Sequence, residues 1–479
     1  MKRKSGVLMH ISSLNGDFSC GSFGDEAKRF VDFLTDCGFS YWQVLPFCMV
    51  DECNSPYKSY STFGGNPYFV DLNVLYKKGL LTKEELCTQR QQTPYSCEYV
   101  RLYHTRFDIL KKASKRVSES ERKKIEDFIS ADSYLLDLCR FMNLKSANNE
   151  KPWYEFTSFE TDDETLFMWK FIQYEFFTQW AEIKKYANDR GVKIIGDIPM
   201  YVALDSCDVW SNKSLFMIDD DNKPTGVAGV PPDYFSADGQ LWGNPLYNWD
   251  EMKKDGYKFW RDRLGHALTL FDGVRIDHFR GIESYWCVPG CAKTAREGKW
   301  LKGPGMELIK KLKEVAKDKL IIAEDLGDIT EDVVKLVSDS GFPGMRVFQF
   351  AFLSDSDNPH LPHNYINNCV AYSGTHDNNT LLGYLWEMDG ETRKRMLRYC
   401  GYESADWTQG LSSVIRTIFA SSAGLTIFPI QDLLGYGSDT RLNIPGKADG
   451  NWQYRVTAEQ LRSIDKNKYR ELNSLYKRI

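Results

Sequence analysis

Several features that define other classes of protein are missing from this chain of 479 residues. No apolar run reaches the roughly 20 residues that a membrane-spanning helix needs. There is no internal repeat and no low-complexity segment, which argues against solenoids and disordered linkers. The net charge is only -5, with acids and bases interspersed, so no basic stripe points to nucleic acid or to a membrane surface. The composition therefore predicts a globular protein whose partner is neutral or small.

Metal-binding and disulfide patterns are missing as well. The chain has 12 cysteines but no Cys-x-x-Cys pair, and its 7 histidines show no zinc or calcium spacing with the acids. We therefore expect no metal and no cofactor. The closest thiols, Cys287 and Cys291, could form a disulfide or a metal clip, but two unpaired thiols are the favoured interpretation. Because only residues 7–9 are apolar after the basic start, a signal peptide is not expected, and we predict a reducing, cytoplasmic location.

What the chain does contain is an alternation of short apolar runs and helix signals, as a parallel barrel requires. The candidate strands are residues 6–11, 41–45, 193–198, 273–277, 320–324, 345–350, 369–373 and 425–430. Between the first two, residues 25–37 place Phe30, Phe33 and Leu34 on one helical face, and Gly38 stands at the stop position. The pattern predicts an α/β fold, a (β/α)8 TIM barrel formed by residues 1–479 as a single catalytic domain.

The connections between these strands are very unequal in length. Residues 80–165, between strands two and three, are rich in charge with amphipathic stretches, so we expect a mainly helical insertion there. Residues 205–250, between strands three and four, are dense in glycine, proline, aspartate and aromatic residues, which predicts an irregular loop. Long loops after barrel strands carry the substrate, so this second insertion is expected to roof the site.

Three candidate strands end in a carboxylate, at Asp277, Glu324 and Asp377. In a barrel the carboxyl ends of the strands gather on the catalytic face, and retaining cleavage of a glycosidic bond needs a nucleophilic carboxylate and a protonated acid about 5 Å apart. Arg275 shares a strand face with Asp277 because side chains alternate with period two, so it would keep that carboxylate ionised. Glu324, if shielded from cations and water, would have a raised pKa and would serve as the general acid. A single such acid would more often be a structural salt bridge, but three together favour catalysis.

Aromatic and histidine side chains surround these acids in the sequence. Tyr57, Tyr234, Phe235 and Trp242 lie in the long loops, where their rings could stack on sugars, although packing in the core explains each of them equally well. His278 and His376 adjoin the proposed acids and would hydrogen-bond sugar hydroxyls. Asp272 and Asp325 neighbour the same strands, but their side chains should face away, so they are interpreted as structural.

Motifs spread over nearly the whole chain resemble those of the amylomaltases, the 4-α-glucanotransferases of glycoside hydrolase family 77. They include Trp42-Gln-Val-Leu-Pro46, Ser55-Pro-Tyr57, Gly196-Asp197-Ile-Pro, Gly239-Gln-Leu-Trp242-Gly-Asn244, Val274-Arg-Ile-Asp277-His278, Ala323-Glu324-Asp-Leu-Gly327, Gly374-Thr-His376-Asp377-Asn378 and Asn443-Ile-Pro-Gly446. The resemblance implies that Asp277 is the nucleophile, Glu324 the acid/base and Asp377 the stabiliser of the transition state. It also implies substrate contact by Ser55, Tyr57, Asp197, Tyr234, Phe235, Gln240, Trp242, Asn244, Arg275, His278, His376 and Asn378.

The activity implied is transfer of α-1,4-glucan segments from a maltooligosaccharide donor to glucose or another glucan, without a cofactor. A retaining α-glucan hydrolase would use the same acids, and whether water or a sugar resolves the intermediate depends on water exclusion. A non-catalytic glucan-binding protein would be expected to lose one of the acids. A phosphate-binding barrel isomerase would need a phosphate grip, for which Gly435-Tyr-Gly437 is a weak candidate. The sequence carries no indication of an oligomeric state.

Overall fold

A computed structural model describes residues 1–50, 54–232, 237–404, 406–447 and 449–479. The strands within these residues are β1 (Lys4–Leu8), β2 (Tyr41–Gln43), β3 (Lys193–Ile198), β4 (Gly226–Val230), β5 (Gln240–Pro245), β6 (Gly273–Ile276), β7 (Ser284–Pro289), β8 (Lys299–Lys302), β9 (Leu320–Ala323), β10 (Gly344–Val347), β11 (Cys369–Tyr372) and β12 (Leu425–Pro429).

The helices are α1 (Asp25–Cys37), α2 (Leu72–Lys77), α3 (Lys83–Thr88), α4 (Tyr99–Ser114), α5 (Glu119–Ser130), α6 (Ser133–Ala147), α7 (Asp163–Asp189), α8 (Cys207–Ser211), α9 (Trp249–Lys254), α10 (Lys258–Leu270), α11 (Gly305–Ala316), α12 (Glu331–Ser340), α13 (Leu381–Glu387), α14 (Gly390–Tyr399), α15 (Leu411–Ala420), α16 (Ile430–Leu434), α17 (Ala458–Ser463) and α18 (Lys466–Leu475). None of the helices described combines the length and the apolar character that crossing a membrane would require.

Eight parallel strands form a closed barrel in the order β1-β12-β11-β10-β9-β6-β3-β2. Each of the eight candidate stretches overlaps one of these strands, so the predicted TIM barrel is confirmed. The barrel closes where β1 pairs with β12, with Lys4 opposite Leu425 and Leu8 opposite Pro429. Because every strand has a neighbour on both sides, the barrel has no free edge.

Apolar periodicity explains how the helices cover the barrel. On α1 the residues Phe30, Val31 and Leu34 are buried, and the helix ends at Gly38, whose positive φ of 77° favours glycine. Trp180 of α7 is also buried. A tight contact occurs at Gly196 in β3, where an added Cβ would lie 2.1 Å from the ring of Phe271.

Within the part of the chain that the structure describes, six helices, α2 to α7, lie between β2 and β3, and α6 packs against α7. A fully buried lysine of α6, Lys145, joins this helical region to the loop that follows β3. Its Nζ donates to Asp205 Oδ2 at 2.7 Å and to the backbone carbonyls of Glu150 and Lys151. The helical region is therefore anchored to a loop on the catalytic face of the barrel.

The stretch from 205 to 250 was expected to be irregular, and in this respect the expectation was wrong. It contains α8 and the strands β4 and β5, which belong to a four-stranded antiparallel sheet in the order β5-β4-β7-β8. The strands β4 and β5 were not predicted because glycines interrupt their apolar pattern, and glycine is depleted in strands generally. At Gly229 the backbone of β5 comes so close that an added Cβ would lie 2.4 Å from the carbonyl oxygen of Gln240.

Candidate active site

The pairing of β6 with β9 brings two of the predicted acids side by side. Ile276, the last residue of β6, lies opposite Ala323, the last residue of β9, so Asp277 and Glu324 follow at neighbouring strand ends. The Glu324 N–H donates to the Ile276 carbonyl at 3.1 Å, which continues the ladder by one residue. Adjacent strands are about 4.8 Å apart, so the two carboxyl groups emerge next to each other on the catalytic face.

A buried arginine connects Asp277 to a second carboxylate beneath it. Arg275 Nη2 donates to Asp277 Oδ1 at 2.7 Å, and Arg275 Nη1 donates to Asp197 Oδ2 at 2.7 Å. Burial alone would lower the pKa of Arg275, but the carboxylates of Asp197 and Asp277 raise it well above its ordinary value. The guanidinium therefore stays charged, and it orients Asp277 through a charge-assisted hydrogen bond.

Asp197 is buried beneath the cavity, too deep to contact a bound sugar. Besides the arginine, it accepts a hydrogen bond from the Tyr57 hydroxyl at 2.6 Å, and its side chain has no exposed surface. It therefore fixes Arg275 and Tyr57 from below.

Glu324 is held by the backbone on both of its oxygens. The His278 N–H donates to Oε2 at 2.6 Å, and the Leu326 N–H donates to Oε1 at 2.9 Å. Burial raises the pKa of Glu324 to about 8, while the nearby charge of Arg275 opposes part of that rise. The side chain is thus protonated at neutral pH, as a general acid must be.

The residue that follows Asp277 has an unusual backbone. His278 lies in the left-handed region, with φ 46° and ψ 47°, a conformation that few residues other than glycine adopt without strain. This turn points its N–H at Glu324 and its ring at Trp242, with the ring centroids 4.9 Å apart and the planes at 84°. Burial lowers the pKa of His278 to about 4, so its imidazole is neutral at neutral pH.

The third acid, Asp377, lies in the loop after β11. Its Oδ1 accepts a hydrogen bond from Asn443 Nδ2 at 2.6 Å, and its Oδ2 is 3.3 Å from His376 Nε2. The ring of His376 stacks on Tyr57, with centroids 5.1 Å apart and the planes 13° from parallel. Because Tyr57 is itself bonded to Asp197, the surroundings of Asp277 and of Asp377 are joined through one aromatic pair.

A cavity of about 1020 Å³ opens over these acids. Of the residues predicted to form the site, it is lined by Ser55, Tyr57, Trp242, Asn244, Asp277, His278, His376 and Asp377. Glu324 is buried, with 8% of its surface exposed, and it accepts a hydrogen bond from the N–H of the lining residue His278. Such a volume is large enough for an oligosaccharide segment.

Two other described residues of the predicted site, Gln240 and Asn378, do not line the cavity. Gln240 accepts a hydrogen bond from Trp242 Nε1 at 3.1 Å, and Asn378 accepts from the N–H and the hydroxyl of Thr375. Gln240 therefore helps to orient Trp242, and Asn378 helps to shape the loop that carries Asp377. Tyr234 and Phe235 lie outside the described residues.

Sequence reasoning did not single out several other residues around the cavity. Asn443 holds Asp377, and Trp452 lies with its ring centroid 5.8 Å from that of His376. Glu150, Tyr154 and Asp205 line the cavity from the helical side. For Asn443 the motif Asn443-Ile-Pro-Gly446 was an available signal, as was Asp205-Ser-Cys-Asp208-Val-Trp210 for Asp205, whereas nothing in the local sequence marks the other three.

The described residues include no group of three or more His, Cys, Asp or Glu side chains that could hold a metal ion. The chemistry that the cavity offers rests on its carboxyl groups, Asp277 and Asp377, and on Glu324 beside them. A closed parallel barrel whose strand ends bring three acids to one cavity defines the class, a barrel enzyme that acts on glycosidic bonds.

Comparison with known proteins narrows this class. A family model described as 4-alpha-glucanotransferase matches residues 9–461. A 4-alpha-glucanotransferase of Streptococcus pneumoniae is 42% identical over 496 residues, spanning 100% of this chain and 98% of its own. One from Thermus thermophilus is 40% identical over 490 residues, spanning 96% of each chain. The solved structure of the amylomaltase from Streptococcus agalactiae in complex with acarbose superposes with a TM-score of 0.96 at 38% identity, covering 100% of both chains.

The chain belongs to the 4-alpha-glucanotransferase family. The resemblance to amylomaltases is thereby confirmed, and the protein is an enzyme of this family rather than a non-catalytic binding module.

Proposed function

We propose that this 4-α-glucanotransferase moves α-1,4-glucan segments from a maltooligosaccharide donor to glucose or another glucan through a covalent intermediate on Asp277. The observation that carries the proposal is the pairing of two unlike carboxyl groups at adjacent strand ends. Asp277 is bonded to a charged arginine, whereas Glu324 is buried with a pKa of about 8. Environments that differ in this way assign the nucleophile and the acid.

In the first step Asp277 attacks the anomeric carbon while Glu324 gives its proton to the departing glycosidic oxygen. The part of the donor beyond the cleaved bond leaves, and the remaining glucan is held as an ester of Asp277. In the second step the ionised Glu324 takes a proton from an acceptor hydroxyl, which attacks the same carbon and releases Asp277. Asp377 binds sugar hydroxyls and stabilises the positive charge that develops on the ring.

Transfer rather than hydrolysis requires that an acceptor sugar displaces water from the second step. Tyr57 and Trp242 line the cavity and offer apolar ring surfaces to sugars, with Asn244 beside them. We propose that these rings hold the acceptor in place. We also propose a cytoplasmic location, since the cysteines within the described residues are all free, as in a reducing compartment.

The test is incubation of the purified enzyme with maltotriose, with the products resolved by chain length. We expect glucose together with a ladder of longer maltodextrins from the wild type, and no products from Asp277→Asn. A matched control is Asp272→Asn at the opposite end of β6, because Asp272 accepts a hydrogen bond from the Ile194 N–H and takes no part in the chemistry. It should give the wild-type ladder.

Two outcomes would contradict the proposal. Release of only glucose and maltose would identify a hydrolase that uses the same acids. A ladder that persists in Asp277→Asn would show that another group is the nucleophile.

A further inference from the structure

One buried carboxyl group near the site has no part in the chemistry described above. Asp432 lies in the first turn of α16, directly after the last barrel strand, and 1% of its surface is exposed. Its Oδ2 accepts a hydrogen bond from the Ser373 hydroxyl at 2.5 Å, and its Oδ1 accepts one from the Leu381 N–H at 2.7 Å. Buried carboxyl groups are costly unless they are hydrogen-bonded, and here both oxygens have a donor.

The two donors stand at opposite ends of one loop. Ser373 immediately follows β11, and Leu381 is the first residue of α13. The loop between them carries His376 and Asp377. One carboxyl group, supplied by the helix that follows β12, therefore fixes both ends of the segment that presents Asp377 to the cavity.

The interior of this loop is held by its own residues and by side chains from other segments. Among these, Gln349 Nε2 donates to the Asn379 carbonyl at 2.7 Å, and Arg441 Nη2 donates to the Asp377 carbonyl at 2.6 Å. Asn378 accepts from the Thr375 N–H and hydroxyl at 2.9 and 2.8 Å. Asn443 reaches Asp377 from the loop that follows α16. These contacts shape the loop, whereas the bonds to Asp432 determine where its ends stand relative to the barrel.

We propose that Asp432 is a positioning residue for the reaction, which keeps the carboxylate of Asp377 at the height and angle that the transition state requires. This inference rests on the role of Asp377 in the proposed function. Its physical basis is that electrostatic stabilisation depends on pre-placed groups, which lose effectiveness when they shift by about 1 Å.

A purely structural role would give a different result, and the chain contains a matched comparison. Asp71 is 5% exposed and also accepts one serine hydroxyl, from Ser22 at 2.6 Å, and one backbone N–H, from Val74 at 3.1 Å. It caps α2, in the helical region between β2 and β3. Loss of either aspartate should cost stability, but only Asp432 should affect the chemistry.

The experiment compares Asp432→Leu, Asp432→Asn and Ser373→Ala with Asp71→Leu, using kcat and KM for disproportionation of maltotriose. Each rate is corrected for the folded fraction measured by circular dichroism. We expect kcat of Asp432→Leu to fall about 10²-fold with KM little changed, as for a displaced transition-state contact. Asp71→Leu should keep the wild-type kcat per folded molecule.

The conservative variant supplies a rescue. In Asp432→Asn the amide oxygen can accept from Leu381 and the amide nitrogen can donate to the Ser373 oxygen, so both bonds and the kcat should be retained. If Asp432→Leu does not fold, Ser373→Ala carries the test, because it removes one of the two bonds and should lower kcat in the same direction to a smaller extent.

The inference is overturned if folded Asp432→Leu, or Ser373→Ala where the former does not fold, has the wild-type kcat. It is also overturned if Asp71→Leu loses kcat equally, or if Asp432→Asn is no better than Asp432→Leu. Failure of the proposed function is separate, since it would appear in the wild type itself as the absence of disproportionation products.

Discussion

Replacing Glu324 by glutamine should make the stability of the enzyme less sensitive to pH while removing its proton donor. The pKa of Glu324 is raised from an ordinary value of 4.5 to about 8, chiefly by burial. Between these values the folded protein holds a proton that the unfolded chain has released. The stability associated with this group is therefore complete below the unfolded pKa and is lost as the pH rises toward 8.

The magnitude follows from the size of this pKa shift. One proton of difference lowers the free energy of unfolding by about 1.4 kcal/mol per pH unit. Across the whole interval the wild type should lose about 5 kcal/mol from Glu324 alone. Glutamine cannot ionise, so the stability of Glu324→Gln relative to the wild type should increase steadily with pH.

A second effect of the substitution does not depend on pH. Both oxygens of Glu324 accept backbone N–H groups, from His278 and from Leu326, and glutamine offers only one oxygen. One N–H would then face an amide nitrogen, at a cost of about 1 to 3 kcal/mol. This cost shifts the whole curve for the variant without changing its slope, so the slope is the diagnostic quantity.

The assay is urea unfolding of both proteins at several values from about pH 5 to about pH 8, the range in which the two ionisation states differ. Glu331→Gln, at an exposed position in the first turn of α12, serves as the control and should follow the wild type. A constant difference between Glu324→Gln and the wild type would refute the assignment of a raised pKa. In activity assays, kcat/KM of the wild type should fall above about pH 8, and the variant should lose roughly 10² to 10⁴ in rate.

Three further variants test other parts of the site. Trp242→Ala should raise the ratio of hydrolysis to transfer on maltotriose, and an unchanged ratio would rule out a role of this ring in excluding water. Asn443→Ala removes the donor 2.6 Å from Asp377, so kcat should fall about 10-fold or more, in line with a hydrogen bond to a charged group. Lys145→Met leaves Asp205 without its buried partner and should cost about 3 kcal/mol of unfolding free energy, which a denaturant titration would measure.

Much of the barrel could be predicted because its determinants are local. Each barrel strand is a short apolar run, and a carboxylate directly after the run marks the catalytic face. The common side of Arg275 and Asp277 follows from the period of two along a strand, and the 2.7 Å bond between them agrees with it. For α1, the helical spacing of its apolar residues and Gly38 together define the element.

The parts that escaped prediction depend on segments that are distant in sequence. Asn443 meets Asp377 across 66 residues and Asp432 meets Ser373 across 59, so no local pattern records either contact. Asp197 belongs to the motif Gly196-Asp197-Ile-Pro, for which the family resemblance implied a sugar contact. In the structure its hydrogen bonds with Arg275 and Tyr57 hold it beneath the cavity. The strands β4 and β5 were missed because glycines interrupt their apolar pattern, and the one at Gly229 allows the β5 backbone to come close.

The pairing of β1 with β12 has a consequence for how the chain is made. The first strand leaves the ribosome long before its partner, since Lys4 pairs with Leu425. At roughly 5 to 20 residues per second, synthesis of the intervening chain takes roughly 20 to 80 seconds. During that time the side of β1 that will meet β12 has no partner, and an unpaired strand edge is a template for aggregation. A nascent chain of this architecture therefore keeps one edge of its first strand unpaired until its last strand has been translated.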